Sequence, residues 1–483
     1  MFFSNTFKHI TKQTKNLTRY KHADTHWSVV RKKVHAVDKA LNHFDDFYEQ
    51  VYSKNWLLIR KALLKKAHKY VAVLNYYGDI EETKRDLELR GALNMRTLFN
   101  LEKGYIQEQL NQNKRDKALE EIFKIDAELE NELKDSKESE NSSKTFDAKD
   151  FSLKTSLEKA EFDTRRLINT QDALSTELLH EFIPATKIKG KEDFFLESSH
   201  YKMYDQNTKF NVKVEREFDF HFPEHLNIYC FEEGNKSDFD SPKKSTTGVL
   251  NYYLMDGGSI LPILALDLKP GHKILDMCAA PGGKSLLALQ TLYPDRLVSN
   301  DVSHSRVNRI ENVFNEFLFD FDEKWLKSGK IRLSNVDGRA IEGENFDRIL
   351  VDVPCTTDRH SLHENDNNIF KPTRIKERLK LPELQRELLY HALQLVRKGG
   401  IVVYSTCSLS PIQNDGVVHM ALKQAWEETN MEIVVKDLSP ALLQTKSVYK
   451  FADKNILKYG HLVVPHVNQN YGPTYFCKLQ RIN

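Results

Sequence analysis

The stretch from Gly271 to Ser285 reads GHKILDMCAAPGGKS. Ile274 and Leu275 begin a short apolar strand that ends in Asp276. A turn of small residues runs from Cys278 through Gly283, and Lys284 opens an amphipathic helix. Strand, glycine turn and helix in that order make the first unit of a doubly wound sheet, where ligands bind beyond the carboxyl ends of the strands. The paired glycines leave the backbone bare, so a cofactor can approach closely, but alone they fit a plain loop equally well. What tips the balance is an acid at the right distance. Asp301 ends the next strand, RLVSND, 19 residues past Gly282, where such folds hold ribose hydroxyls.

Working outward, strands recur at Lys273–Cys278, Arg296–Asp301, Ile331–Val336, Phe346–Val353, Gly400–Thr406, Met431–Val435 and Pro473–Leu479, with helical segments between most of them. That alternation predicts a mostly parallel α/β sheet covered on both faces. Just upstream, NYYLMDGGSILPILAL reads as a helix or turn laid across the sheet. FDRILVDVPC is almost continuously apolar, as a central buried strand should be, and delivers Asp352, Pro354 and Cys355 at its carboxyl end. GGIVVYSTCS delivers Ser405, Thr406 and Cys407 one strand later. Two thiols therefore reach the same rim as the glycine turn.

Zinc binding wants paired ligands, and Cys355 and Cys407 lack near partners. HSLHE at 360–364 is neither H-E-x-x-H nor H-x-x-E-H and reads as a polar loop rather than a metal site. The two cysteines are not in a C-x-x-C redox arrangement. Covalent catalysis remains, with a thiolate attacking an electrophilic carbon; spacing alone does not rank the two. Cys230, Cys278 and Cys477 read as small buried hydrophobes.

At these residues the sequence resembles the Fmu/Sun-type RNA cytosine-5 methyltransferases. DMCAAPGGKS, DVPCTTDRHS and YSTCSLSPIQND are similar to motifs I, IV and VI of that family. The likeness covers Gly248 to the end of the chain, with a fainter match at His26 to Leu64. Most of the family follows Pro-Cys with Ser and Gly. Thr356, Thr357, Asp358, Arg359 and His360 stand here instead, and with NNIF and YGPTYFCK they resemble the mitochondrial ribosomal-RNA member. The resemblance implies a Rossmann-like class I methyltransferase sheet with helices on both faces. It implies S-adenosylmethionine over Gly282, Gly283 and Lys284, with Asp301 on its ribose, Arg306 at the ribose edge and Asp337 and Gly338 framing the adenine. Asp352 would face the methionine end and the target base. Turn capping by Asp337 and a surface ion pair for Arg306 are the structural alternatives. The resemblance also gives attack on cytosine carbon 6 to Cys407 and product release to Cys355. The expected activity is methylation of mitochondrial small-subunit ribosomal RNA, with a role in mitoribosome assembly. An assembly factor with secondary methylation, a tRNA cytosine-5 enzyme and a DNA enzyme are the other readings; the Thr-Cys pair favours RNA over DNA.

The rest of the chain sets the context. Residues 1–25 hold five basic residues from Lys8 to Lys21 and no acid before Asp24, the pattern of a mitochondrial transit peptide, hence a matrix protein; a disordered basic tail is the plainer alternative. Residues 26–133 read as mainly helical, with Phe44, Phe47, Tyr48, Val51, Tyr52, Trp56, Ile59 and Leu63 on one stripe and Ile122, Ile125, Leu129 and Leu133 on another. Residues 134–150 form a polar linker. Residues 151–245 mix α and β and face RNA or a partner, and residues 246–483 form the methyltransferase domain. Arg31, Lys32, Lys33, Lys187, Lys189, Lys191, Lys243 and Lys244 are candidate phosphate contacts, although scattered lysines are commonly solvated faces. Five scattered cysteines argue against a disulfide framework, and no apolar run reaches the length of a membrane span. With 71 basic and 69 acidic residues, a net charge of +2 is small for an unaided RNA binder. A protein partner is expected, and the resemblance points to a helical-repeat protein of the mitochondrial transcription-termination-factor type. The Phe44–Leu63 stripe and the C-terminal third are candidate contacts, with core packing the expectation for most of the stripe.

Overall fold

The computed structural model describes residues 35–66, 69–109, 111–112, 212–343 and 345–483. The transit-peptide, 122–133 and 134–150 readings, residues 151–211 and the basic residues from Arg31 to Lys191 named above lie outside this set.

Two helices lead, α1 (Ala36–Tyr52) and α2 (Asn55–Leu63). α1 starts where the Asp38 carboxylate takes the His35 N–H at 3.1 Å, and it stops at Ser53, whose φ of 47° is not helical. Next come β1 (Tyr70–Leu74), α3 (Ile80–Leu89), β2 (Leu93–Asn94) and α4 over 95–109. β3 (Lys213–Arg216), β4 (Ile228–Cys230) and β5 (Tyr252–Asp256) follow. The stretch 26–133 thus contains two strands as well as helices. β2, β4, β1 and β5 pair in that order into a small sheet, antiparallel throughout. The segment NYYLMDGGSILPILAL is likewise strand first. β5 leads through a tight turn into α5 (Ile260–Ala265).

The large sheet carries β6 (His272–Asp276), β7 (Pro294–Asn300), β8 (Ile331–Ser334), β9 (Phe346–Asp352), β10 (Val396–Thr406), β11 (Ile433–Asp437), β12 (His461–Val463) and β13 (Thr474–Arg481). Its order is β3-β11-β13-β10-β9-β6-β7-β8, with β12 alongside β13. β10-β9-β6-β7-β8 are mutually parallel, and β13 enters antiparallel between β10 and β11. Between them run α6 (Gly283–Gln290), α7 (His304–Phe317), α8 (Asp358–His363), α9 (Ile375–Leu395) and α10 (Val417–Glu428). The chain leaves β6 toward β7 on one side and returns to β9 on the other. This switch point opens a crevice at the carboxyl ends of β6 and β9.

Successive side chains of a strand point to opposite faces, and the cores divide accordingly. Ile274, Leu350, Ile401 and Val403 join one core, while Leu275, Ile349, Val351, Val402 and Tyr404 join the other. The first core takes in Val71, Val73, Met95 and Phe99 from the small sheet and α4. The second takes in Phe44, Phe47, Tyr48, Tyr52, Trp56, Ile59 and Leu63, so the helical stripe is interior packing. Lys243 and Lys244 are exposed. No described helix is long and apolar enough to cross a membrane.

Candidate active site

β6 ends at Asp276, and the chain turns through Gly282 at φ +108°, a conformation that favours glycine. A Cβ on Gly283 would come within 2.8 Å of the Tyr253 ring, so glycine lets α6 seat against β5. Asn300, fully buried at the end of β7, donates to the Met277 (3.0 Å) and Val336 (2.9 Å) carbonyls and accepts from the Val336 N–H (3.1 Å). One amide thus staples the loops after β6, β7 and β8.

Three carboxylates face this turn. Asp276 is 2% exposed; its Oδ2 accepts from Ser285 Oγ at 2.7 Å, and its Oδ1 has no hydrogen-bond partner. Burial pushes its carboxyl up to about 7, with the Asp352 and Asp301 charges adding to the shift. Asp301, also buried, accepts the Ser303 N–H at 3.1 Å and lies 3.3 Å from the Arg306 guanidinium. Arg306 also donates to the Ala280 carbonyl at 3.2 Å. Asp352 ends β9, pairs with Lys284 Nζ at 2.7 Å and accepts from Ser405 Oγ at 2.7 Å. Burial opposes the charge on Lys284, but Asp352 outweighs it and holds the ammonium above its ordinary value. An orphaned buried carboxylate oxygen and three clustered acids suit a ligand that is cationic and carries a ribose diol. The residues fit S-adenosylmethionine.

Asp337 and Gly338 lie one loop further. Asp337 caps the turn Gly338–Ala340 through the Arg339 N–H (3.0 Å) and pairs with the Arg339 side chain at 2.7 Å. A Cβ on Gly338 would strike Leu388 and Met277 at 2.7 and 2.9 Å, so close packing against α9 requires glycine there.

The thiols meet. Cys355 Sγ and Cys407 Sγ are 3.0 Å apart, and the Cys407 N–H points at Cys355 Sγ from 3.3 Å. All five cysteines are free; Cys355, Cys230 and Cys477 are buried, Cys278 is partly so, and Cys407 is exposed. Although Cys407 has surface open to solvent, protein atoms crowd its sulfur; the hydrogen bond to Cys355 first, then this crowding, push its thiol well up, while the Lys284 ammonium pulls it down. Cys407 opens on a cleft of about 580 Å³ whose other walls include Asp256, Ser259, Thr357, Arg359 and Gly472.

That far wall was not singled out from the sequence. Asp256 accepts the Gly472 N–H at 3.0 Å, while Arg359 donates to the Gly472 carbonyl at 2.6 Å. Together they grip Gly472 of the YGPT segment from both sides, through the peptide groups before and after its Cα. Arg359 follows the Pro-Cys pair, so its place beside the thiols was legible; Asp256 ends a strand read as helix or turn. His360 and His363 line the same cleft, and each sets Nε2 against a main-chain carbonyl, Asp366 (3.1 Å) and Leu63 (2.7 Å). Among the described residues no group of three or more His, Cys, Asp or Glu is placed to hold a metal.

Residues 263–479 match the family model described as 16S rRNA methyltransferase RsmB/F. The chain is 46% identical over 260 residues to the 5-cytosine rRNA methyltransferase NSUN4 of Xenopus laevis, covering 53% of this chain and 63% of that protein. It is 32% identical over 454 residues to the 5-cytosine rRNA methyltransferase nsun-4 of Caenorhabditis elegans, covering 92% of each. A mitochondrial tRNA (cytosine(34)-C(5))-methyltransferase of Mus musculus is 33% identical over 264 residues, 54% of this chain and 72% of that one. The match to the Xenopus protein falls short of two thirds of its length, whereas the nematode match runs nearly end to end in both. By that full-length similarity and the matched catalytic region, the chain belongs to the RsmB/F family of RNA cytosine-5 methyltransferases.

Proposed function

We propose that this chain methylates carbon 5 of a cytosine in mitochondrial small-subunit ribosomal RNA, using S-adenosylmethionine and a covalent cysteine–cytosine intermediate. The observation that carries this reading is the pair of thiols 3.0 Å apart, at the ends of adjacent parallel strands and beside the Lys284–Asp352 pair. The nematode relative named for ribosomal RNA extends over 92% of the chain against 54% for the one named for mitochondrial tRNA, and the Xenopus one is 46% identical against 33%, which favours ribosomal RNA. Function in the mitochondrial matrix, on the small subunit and with a helical-repeat partner of the transcription-termination-factor type belongs to the same proposal. The near-neutral charge supports a partner that supplies part of the RNA surface.

The chemistry follows from cytosine. Carbon 5 is too weak a nucleophile to accept a methyl group unaided. Cys407 Sγ adds to carbon 6, which breaks the aromaticity and makes carbon 5 enamine-like. S-Adenosylmethionine supplies the electrophilic methyl group when bound. Asp301 holds the cofactor ribose, and Asp352, anchored by Lys284 and Ser405, orients the base edge. A base takes the carbon-5 proton while the carbon 6–sulfur bond breaks and Cys407 leaves as thiolate, which restores the aromatic ring, and Cys355 assists the departure. The resting thiol of Cys407 is held protonated, so thiolate formation has to accompany substrate binding. The cytosine has to leave its stack to reach the rim, so the substrate is an unpaired or flipped nucleotide.

The test is incubation of the purified chain, with and without mitochondrial extract, with labelled S-adenosylmethionine and mitochondrial ribosomal RNA, tRNA or DNA. Label at cytosine carbon 5 of small-subunit ribosomal RNA is expected. Label confined to tRNA would replace the substrate, and no labelled cytosine in any of them would overturn the reading.

A further inference from the structure

Asp358 takes no part in the steps above. It is 0% exposed, yet its carboxylate collects four donors: Thr356 Oγ1 at 2.5 Å, Ser408 Oγ at 3.1 Å, the Leu409 N–H at 2.8 Å and the Tyr48 hydroxyl at 2.7 Å. Thr356 directly follows Cys355 and Ser408 directly follows Cys407, and their hydroxyl oxygens are 2.8 Å apart. One carboxylate therefore cross-links the two loops one residue beyond each thiol. Tyr48 reaches it from α1, 310 residues away in the chain. Tyr52, one turn on, donates to the Leu409 carbonyl at 2.6 Å. The Tyr48 ring is fixed between Phe44, stacked at 5.0 Å, and Trp56, edge-on at 5.3 Å. α1 lies outside the stretch matched by the family model.

We propose that Asp358, anchored by Tyr48, is a positioning residue that sets the separation and relative aim of Cys355 and Cys407, which makes α1 part of the catalytic apparatus. The proposal rests on the reading that both thiols serve one cytosine. Each thiol sits on a loop past the end of its strand, where ladder hydrogen bonds no longer hold it. A carboxylate is acceptor-only and can satisfy all four donors at once. An amide in its place has to aim its own N–H₂ at one of them, leaving buried donors unpaired and the loops free to part.

The experiment uses the full chain and reads thiol geometry without RNA. Phenylarsine oxide condenses with two neighbouring thiols, forming two As–S bonds and releasing one water. Wild type should bind it tightly through Cys355 and Cys407, and Cys355→Ala should not. Asp358→Asn should weaken binding by about tenfold or more and Tyr48→Phe by a smaller factor, on the scale of lost buried hydrogen bonds. Single-site alkylation of the exposed Cys407 should change far less. A residue that merely stabilised the fold would lower the melting temperature and leave arsenical affinity at 20 °C unmoved; that result overturns the proposal. If Asp358→Asn does not fold, Tyr48→Phe decides, since it keeps the buried ring, and unchanged affinity there overturns the proposal too. A second arm measures covalent RNA adduct in the Cys355→Ala background, where adding Asp358→Asn should slow adduct formation by about the same factor. If Cys355→Ala forms no adduct while the arsenical results hold, the cytosine chemistry fails and the positioning of the thiols stands.

Discussion

The hydrogen bond to Cys355 disfavours the thiolate of Cys407. Because the largest influence raising the Cys407 thiol is its hydrogen bond to Cys355, removing that partner should have two effects. Iodoacetamide should alkylate Cys407 faster in Cys355→Ala than in wild type at neutral pH, with the rate profile moved to lower pH. In the presence of RNA the same variant should attack but not let go, so adducts that survive denaturing electrophoresis should accumulate, whereas Cys407→Ala should form none. Adduct in Cys407→Ala and none in Cys355→Ala would reverse the roles. Asp276 gives a second test at this scale. Burial raises its folded carboxyl to about 7, against about 3.9 for an unfolded aspartate. The folded chain therefore keeps a proton that the unfolded chain releases. That stability is fully present below about pH 4 and is lost as pH rises to about 7. Urea unfolding of the cofactor-free chain at pH 5 and pH 8 should show the loss, on the order of a few kcal/mol, and Asp276→Asn should lack it. Equal pH dependence in both would show that Asp276 is ionised in the fold. Both cysteines, Lys284, Asp301 and Asp352 could be picked out as candidates from the sequence because each follows or ends a strand or follows the glycine turn. Asp256 and Asp358 were not, because their roles depend on Gly472 and Tyr48, partners more than 200 residues away that no local pattern reveals.

The large sheet was readable element by element. Its strands are short apolar runs separated by helices, and each of the seven expected segments overlaps an observed strand within a few residues. The antiparallel insertion of β13 had no local signal, since parallel and antiparallel strands share one periodicity. The small sheet was missed for a related reason. YVAVL at Tyr70–Leu74 is a five-residue apolar run, too short for its periodicity to separate strand from buried helix, and its partners β4 and β5 lie more than 150 residues downstream. The α1–α2 stripe was clear as a pattern, and the structure settles what covers it. Trp56 is 1% exposed, donates Nε1 to Asp45 Oδ1 at 3.1 Å and packs edge-on against Tyr48. Trp56→Ala should cost about 3–5 kcal/mol in urea unfolding. It should also impair adduct formation, because the ring that supports Tyr48 is gone. A loss below about 1 kcal/mol would mean the two helices repack or carry little of the fold's stability.

At the scale of the molecule, the question is whether the small sheet is a separate body or part of the catalytic core. Val71, Val73, Met95, Phe99 and Ile228 share one apolar cluster with Ile260, Leu286, Phe317 and Ile401, so no solvent layer divides the sheets. Asn75, just past β1 and 1% exposed, locks the arrangement with polar contacts. Its Nδ2 donates to the Leu250 carbonyl at 2.8 Å and the Phe317 carbonyl at 2.7 Å, and its Oδ1 accepts from Gln290 Nε2 at 3.0 Å. Gln290 ends α6, the helix that opens at the glycine turn, and its Oε1 accepts the Tyr76 N–H at 2.7 Å. The small sheet therefore holds the far end of the helix whose near end carries the proposed cofactor turn. Asn75→Ala removes the side chain from four partners, two of them fully buried (the Phe317 carbonyl and Gln290 Nε2), and a buried group left unsatisfied costs about 1–3 kcal/mol. If the sheets unfold as one unit, the variant should lower hydrogen-exchange protection of β1 and β6 amides together, and thermal unfolding should remain a single transition. Weaker S-adenosylmethionine binding should follow from loosening α6. Protection lost in β1 while β6 keeps wild-type values would show that the small sheet opens by itself, and the catalytic rim would then be independent of residues before 246.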